Sequence, residues 1–215
     1  MFYIEVTDEH GIVSNLDAYS DHDGKFIDIF IGDTKGGTRL DSCVHFVVEE
    51  GSPDCVLADL EYRKKCDING NLEAKTGTLR LLKGALKYIF AHFPFVQKVT
   101  FMDVAKKKGT MVYLTPKRLL MGKRGWYEEH FGAVAIAKVQ LKQLVREALK
   151  GVTPEMEKEI SKASWGTGED LKQLSANAAK LIGVDWEINR QTVDTYPVTI
   201  QIKKQGHGQK QGGGR

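Results

Sequence analysis

The amino-acid sequence predicts an α+β fold: a mixed sheet that begins as an antiparallel meander, followed by a C-terminal helical extension. Three patterns predict it. The first 60 positions alternate β-rich runs with turn residues, one apolar stripe at helical spacing follows Gly77, and helical periodicity takes over from Lys138. With 215 residues, 41% of them hydrophobic, the chain has material for a core that needs no metal or disulfide staple.

The N-terminal third contains four β-rich runs, "FYIEVT", "KFIDIFIGD", "CVHFVVEE" and "CVLADLEY". Between them, "DHDG", "GDTKGG" and "EGSPD" supply the Gly, Asp and Pro of tight connections, so four antiparallel strands are expected. "DHDG" lacks the remaining ligands of a calcium loop and reads as a turn. A helix starts near Thr78, where Leu79, Leu82, Leu86, Ile89, Phe90 and Phe93 form the stripe, and Pro94 stops it. "VQKVTFMDV" then returns to strand. A helix this long between two strands predicts a crossover and a parallel pair.

Beyond a "KKKGT" loop, "TPKRLLMG" reads as a short helix capped by Thr115, and "WYEEHFG" as one or two helical turns. "AVAIAKV" is either a strand or the opening of the next helix. Three helical segments follow from Lys138, and "YPVTIQIK" alternates as a half-buried strand does, suited to a sheet edge. The last residues cannot bury a core. The expected organisation is a domain over 1–137, a helical extension with a terminal strand over 138–202, and a disordered basic tail over 203–215.

The net charge of +3 conceals a segregation: residues 1–60 balance to −10, residues 61–150 to +12, and the remainder to +1. An anion would meet the middle segment. Cys43, Cys55 and Cys66 are odd in number and lack close spacing, which points to reduced thiols in an intracellular protein and to no metal site. No apolar run is long enough to span a bilayer, and the N-terminus has no leader pattern, so no membrane association is expected.

Two segments carry candidate chemistry. Lys75, Thr76, Gly77, Thr78 and Arg80 place backbone N–H groups, a helix N-terminus and two cations together, as a pyrophosphate site would. The reading that Gly77 turns the chain while Thr78 caps the helix stands beside it. In "WYEEHFG", Trp126, Tyr127 and Phe131 also suit helix-to-sheet packing, with Glu128 and Glu129 facing solvent. His45 and His92 show no carboxylate or nucleophile partner by spacing.

The order strand, Gly turn, helix, strand, loop and aromatic helix resembles the GNAT acetyltransferase superfamily over roughly residues 55–137. It rests on "TGTLRLLKGALKYI" and "WYEEHFGA". The wider segment is similar to uncharacterised proteins of large nucleocytoplasmic DNA viruses, of marseillevirus type. The resemblance implies acetyl-CoA held at Lys75–Arg80, Tyr127 as general acid, and Glu61 or Glu73 as a base acting through water. The motif is altered, however, with Ala74 where a basic residue is expected and Leu79 where a small one is; on the stripe, Leu79 is expected to pack inward.

The resulting expectation is a viral binding or virion-associated protein of degenerate GNAT-like fold, in the virion and the host-cell cytoplasm or nucleus, with no cofactor. It would contact nucleic acid or an acidic protein through Lys106, Lys107, Lys108, Lys117, Arg118, Lys123 and Arg124, and its extension suits a homo-oligomer interface. The alternative is an active acetyl-CoA-dependent N-acetyltransferase.

Overall fold

The computed structural model describes residues 2–32, 42–61, 66, 77–105, 115, 118, 123–136 and 184–204. The three expected helices after Lys138, the tail beyond Lys204, and Glu73, Lys75, Thr76, Lys106, Lys107, Lys108 and Lys117 lie outside those residues. The chain divides into two units, Met1–Gln97 with Val193–Arg215, and Lys98–Thr192.

In the first unit, β1 (Phe2–Thr7), β2 (Val13–Asp23), β3 (Phe26–Ile31), β4 (Val44–Glu49) and β5 (Asp54–Leu60) follow one another as an antiparallel meander. The C-terminal strand β9 (Thr199–Lys204) returns to pair antiparallel with β1, giving the order β9-β1-β2-β3-β4-β5. The meander expected from composition is therefore present, with five strands rather than four. The additional one is β2, of which "DHDG" supplies the end: Asp21 to Asp23 belong to the strand, and Gly24, with φ of 58°, makes the turn.

The period of two puts Phe2, Ile4 and Val6 on one face of β1, and α1 (Gly77–His92) lies against it. The Phe2 and Tyr88 ring centroids are 5.4 Å apart. At Gly84 the helix backbone lies so close to the Val6 side chain that a Cβ would stand 2.5 Å from Val6 Cγ2. Leu81, Leu82, Ala85, Leu86 and Ile89 are fully buried, together with Ile4, Leu16, Ile29 and Phe46 of the sheet. Leu79, expected to pack inward, is half-buried instead; the buried face is centred on Leu82 and Leu86, and Leu79 falls at its margin. The helix ends at His92, two residues before Pro94.

The expectation of three reduced thiols is corrected here. Cys43, beside the start of β4, and Cys66, after β5, form a disulfide across a sequence separation of 23. The hairpin returns the chain to the edge it left, with the Glu61 N–H donating to the Cys43 carbonyl at 2.8 Å, and Cys55 remains free and buried.

In the second unit, β6 (Lys98–Asp103), β7 (Val134–Ala135) and β8 (Val184–Asn189) take the order β7-β8-β6, with both pairings antiparallel. α2 (Trp126–Phe131) precedes β7, and α3 (Arg190–Asp194) follows β8. Val99, Phe101, Phe131, Trp186 and Ile188 are buried here. The order β5, α1, β6 agrees with strand, helix, strand over residues 55–104, with β5 and β6 falling in different units.

Candidate functional site

The N-terminus of α1 is the first place to look for anion binding. Gly77 is its first residue and is buried, and Thr78 is half-buried. Arg80, the described cation of the motif, points back to the β1–β2 connection. Its Nη2 lies 2.7 Å from Asp8 Oδ2, with both side chains about nine-tenths buried, and its Nη1 donates to Ser14 Oγ at 3.3 Å.

Asp8 is built for that partner by its own loop. Its Oδ1 accepts the N–H of His10 at 3.0 Å and of Ile12 at 2.9 Å, an Asx-type turn that closes the β1–β2 connection and aims Oδ2 at the helix. Burial raises the carboxyl pKa, but the Ile12 and His10 N–H groups and the Arg80 charge outweigh it and hold Asp8 below its ordinary value. A diphosphate at this helix start would meet a carboxylate anion and a guanidinium already engaged. Of the five residues that the motif resemblance assigns to acetyl-CoA, Gly77, Thr78 and Arg80 are described, and the Arg80 guanidinium is turned toward Asp8 and Ser14.

The second segment is a buried centre in the second unit. Tyr127 is 8% exposed, and its ring stands 4.5 Å from Phe101 and 4.8 Å from Trp126. Burial first, and then the charge of Asp103, push the phenol pKa well above its ordinary 10. Asp103 Oδ1 accepts the Ala105 N–H at 3.0 Å, and Oδ2 accepts the Thr115 hydroxyl. Burial raises the Asp103 pKa despite those two bonds, and the Trp186 indole N–H is buried with no partner among the described residues. A phenol buried this way holds its proton more tightly, which ill suits a general acid. Thr115, expected as a helix cap, spends its hydroxyl on Asp103.

Of the remaining described candidates, the three basic ones gather at the start of α2 and Glu61 stands apart. Glu61 is exposed and follows β5. Lys123 and Arg124 are exposed before α2, whereas Arg118 is engaged by the Glu129 carboxylate and the Arg124 carbonyl. Among the described residues no three His, Cys, Asp or Glu side chains gather as a metal site would.

Sequence spacing also missed a histidine–carboxylate pair. His45 Nε2 lies 2.6 Å from Asp28 Oδ1, on the sheet face opposite α1, with the His45 ring stacked on Phe30 at 4.4 Å. Asp28 on β3 and His45 on β4 are diagonal neighbours, since Phe30 pairs with His45. This corrects the expectation that His45 lacks a carboxylate partner; only the strand register reveals it. No known protein family, curated protein or solved structure matches this chain.

Proposed function

We propose that this chain is a non-catalytic binding or structural protein of GNAT-like architecture, virion-associated, which contacts nucleic acid or an acidic protein through its basic segments. The observation that carries this reading is the Asp8–Arg80 pair at the start of α1. A helix N-terminus binds phosphate through free N–H groups and unengaged cations. Here the guanidinium is consumed in tying the helix to the β1–β2 connection.

Tyr127 supports the same conclusion, since its burial among Phe101, Trp126 and Phe131 is that of a packing residue. Exposed Lys123 and Arg124 support a basic contact, within the segment whose charge balances to +12. The Cys43–Cys66 disulfide supports a place on a particle, because disulfides persist in oxidising settings, virion surfaces among them.

Calorimetry with acetyl-CoA tests the catalytic side of the reading: no saturable heat is expected, and micromolar affinity would restore the N-acetyltransferase alternative. Fluorescence anisotropy with short duplex DNA tests the other side. Affinity should fall on the order of tenfold or more between about 50 and 200 mM salt, without sequence preference, and should weaken in a Lys123→Ala, Arg124→Ala double variant. Absence of binding at the lowest salt would reject nucleic acid and leave the acidic protein partner.

A further inference from the structure

We propose that the recess between the C-terminal half of α1 and the projecting end of the β2–β3 hairpin is a binding site for a neutral, ring-bearing small molecule. Its ligand is about the size of two fused rings and carries a hydroxyl or carbonyl group. The site belongs wholly to the first unit and is separate from the helix N-terminus discussed above.

Strand length creates the recess. Phe2 of β1 pairs with Ala18, and among the described residues Tyr19 to Asp23 of β2 pair only with β3. On the helix side of that projection stand Ser20, His22, Ile27 and Ile29, while α1 supplies Tyr88, His92 and Phe93 from above. Phe2 and Ile202 of the adjoining strands supply the remaining wall, and the recess, open to solvent at its mouth, has a volume of about 280 Å³.

The lining sets the chemistry. Its floor is buried and apolar, formed by Ile27, Ile29, Phe93 and the Tyr88 ring. Tyr88 stacks on His92 at 5.2 Å, and His92 meets Phe93 edge-on at 5.1 Å, so a flat ring entering here finds aromatic faces and edges. His22 and His92 are exposed at the rim, and with the Ser20 hydroxyl they offer both donors and acceptors to a single polar substituent. Burial lifts the Tyr88 phenol to about 12, which keeps it neutral.

None of the nine lining residues is Asp, Glu, Lys or Arg, so a cationic ligand would find no carboxylate and an anionic one only the two rim imidazoles, which are charged only when protonated. An apolar cavity of roughly 150 Å³ holds benzene, and the larger space here calls for more than one ring. An apolar concavity with a few convergent polar groups is the usual form of a small-molecule site.

The test is calorimetric titration of the full chain with 2-naphthol, with 2-naphthoate and 1-octanol as comparison ligands. Saturable one-to-one binding of 2-naphthol is expected, with both comparison ligands at least about tenfold weaker. Ile202→Trp fills the mouth from a side chain already 47% exposed, and Ser20→Phe fills it from the sheet; each should weaken binding at least about tenfold. Amide shift mapping of the parent chain provides a readout independent of variant folding, with changes expected around Ser20–Ile29, Tyr88–Phe93 and Ile202. The proposal is overturned by no saturable heat, by naphthoate or octanol binding as tightly, by undiminished binding in Ile202→Trp with a parental melt, or by shifts elsewhere.

Discussion

Asp8 is half-buried and Asp103 buried, and their surroundings drive the two carboxyls in opposite directions. Removing the Asp8 carboxylate by Asp8→Ala takes an ion-pair partner from Arg80 and the turn acceptor from the β1–β2 connection, a change that costs about 1–3 kcal/mol. Asp8→Asn retains a turn acceptor and should cost less; urea unfolding of the two variants would rank them. Because the folded-state pKa of Asp8 is depressed, its contribution is complete above its ordinary 3.8 and is lost as pH falls through the lower folded value. Asp103 reverses the sign. Its raised pKa makes the charged form a liability in the fold, so stability falls as pH rises from 3.8 through the raised value. Asp103→Asn removes that titration while keeping an oxygen for Thr115. Relative to the variant, the parent should lose stability across that window, and parallel melting curves at every pH would refute an ionisable Asp103 in this environment.

At the scale of elements, α1 and β1 approach one another closely at Gly84. Alanine there gains up to about 1 kcal/mol of helix propensity, yet its Cβ would stand 2.5 Å from Val6 Cγ2. Displacement of Val6 or of the helix costs about 1–3 kcal/mol, so Gly84→Ala should be destabilising overall. Adding Val6→Ala makes room for the new methyl and should recover part of that loss; a double variant no better than the sum of the singles would sink the steric explanation. This contact also separates what was legible in the sequence from what was not. α1 announced itself through its stripe and Pro94, and β1, β3, β4, β5 and β9 through β-branched and aromatic runs. β2 did not, because Ser14, Asn15, Asp17, Ser20 and Asp21 dilute its pattern. It is a strand because β1 and β3 bond to it on both sides, a tertiary cause that outweighs local propensity. The Asp28–His45 pair and the Asp8–Arg80 pair were hidden for a related reason: neither a cross-strand diagonal nor a loop-to-helix ion pair has a sequence period.

For the whole molecule, the cysteines show most plainly how far composition reaches. Three cysteines without close spacing read as thiols, but the hairpin of β4 and β5 brings Cys43 and Cys66 together and buries Cys55 apart from them. Burial raises the Cys55 thiol well above its ordinary pKa, so it resists conversion to the reactive thiolate. Thiol titration of the oxidised native chain should therefore find no rapidly reacting group, and one group after unfolding. Closing a loop of this length restricts the unfolded chain by about 3 kcal/mol, and for a chain of this size each kcal/mol corresponds to roughly 2–4 °C of melting temperature. Reductant should accordingly lower the parent melt by about 6–12 °C. A Cys43→Ser, Cys66→Ser double variant should melt near the reduced parent and ignore reductant. If the parent melt does not respond and the chain unfolded without reductant titrates with three thiols, the pair is reduced in solution. The oxidising location proposed from it then falls, while the proposed lack of an acetyl-CoA site, argued from the Asp8–Arg80 contact, depends on no cysteine.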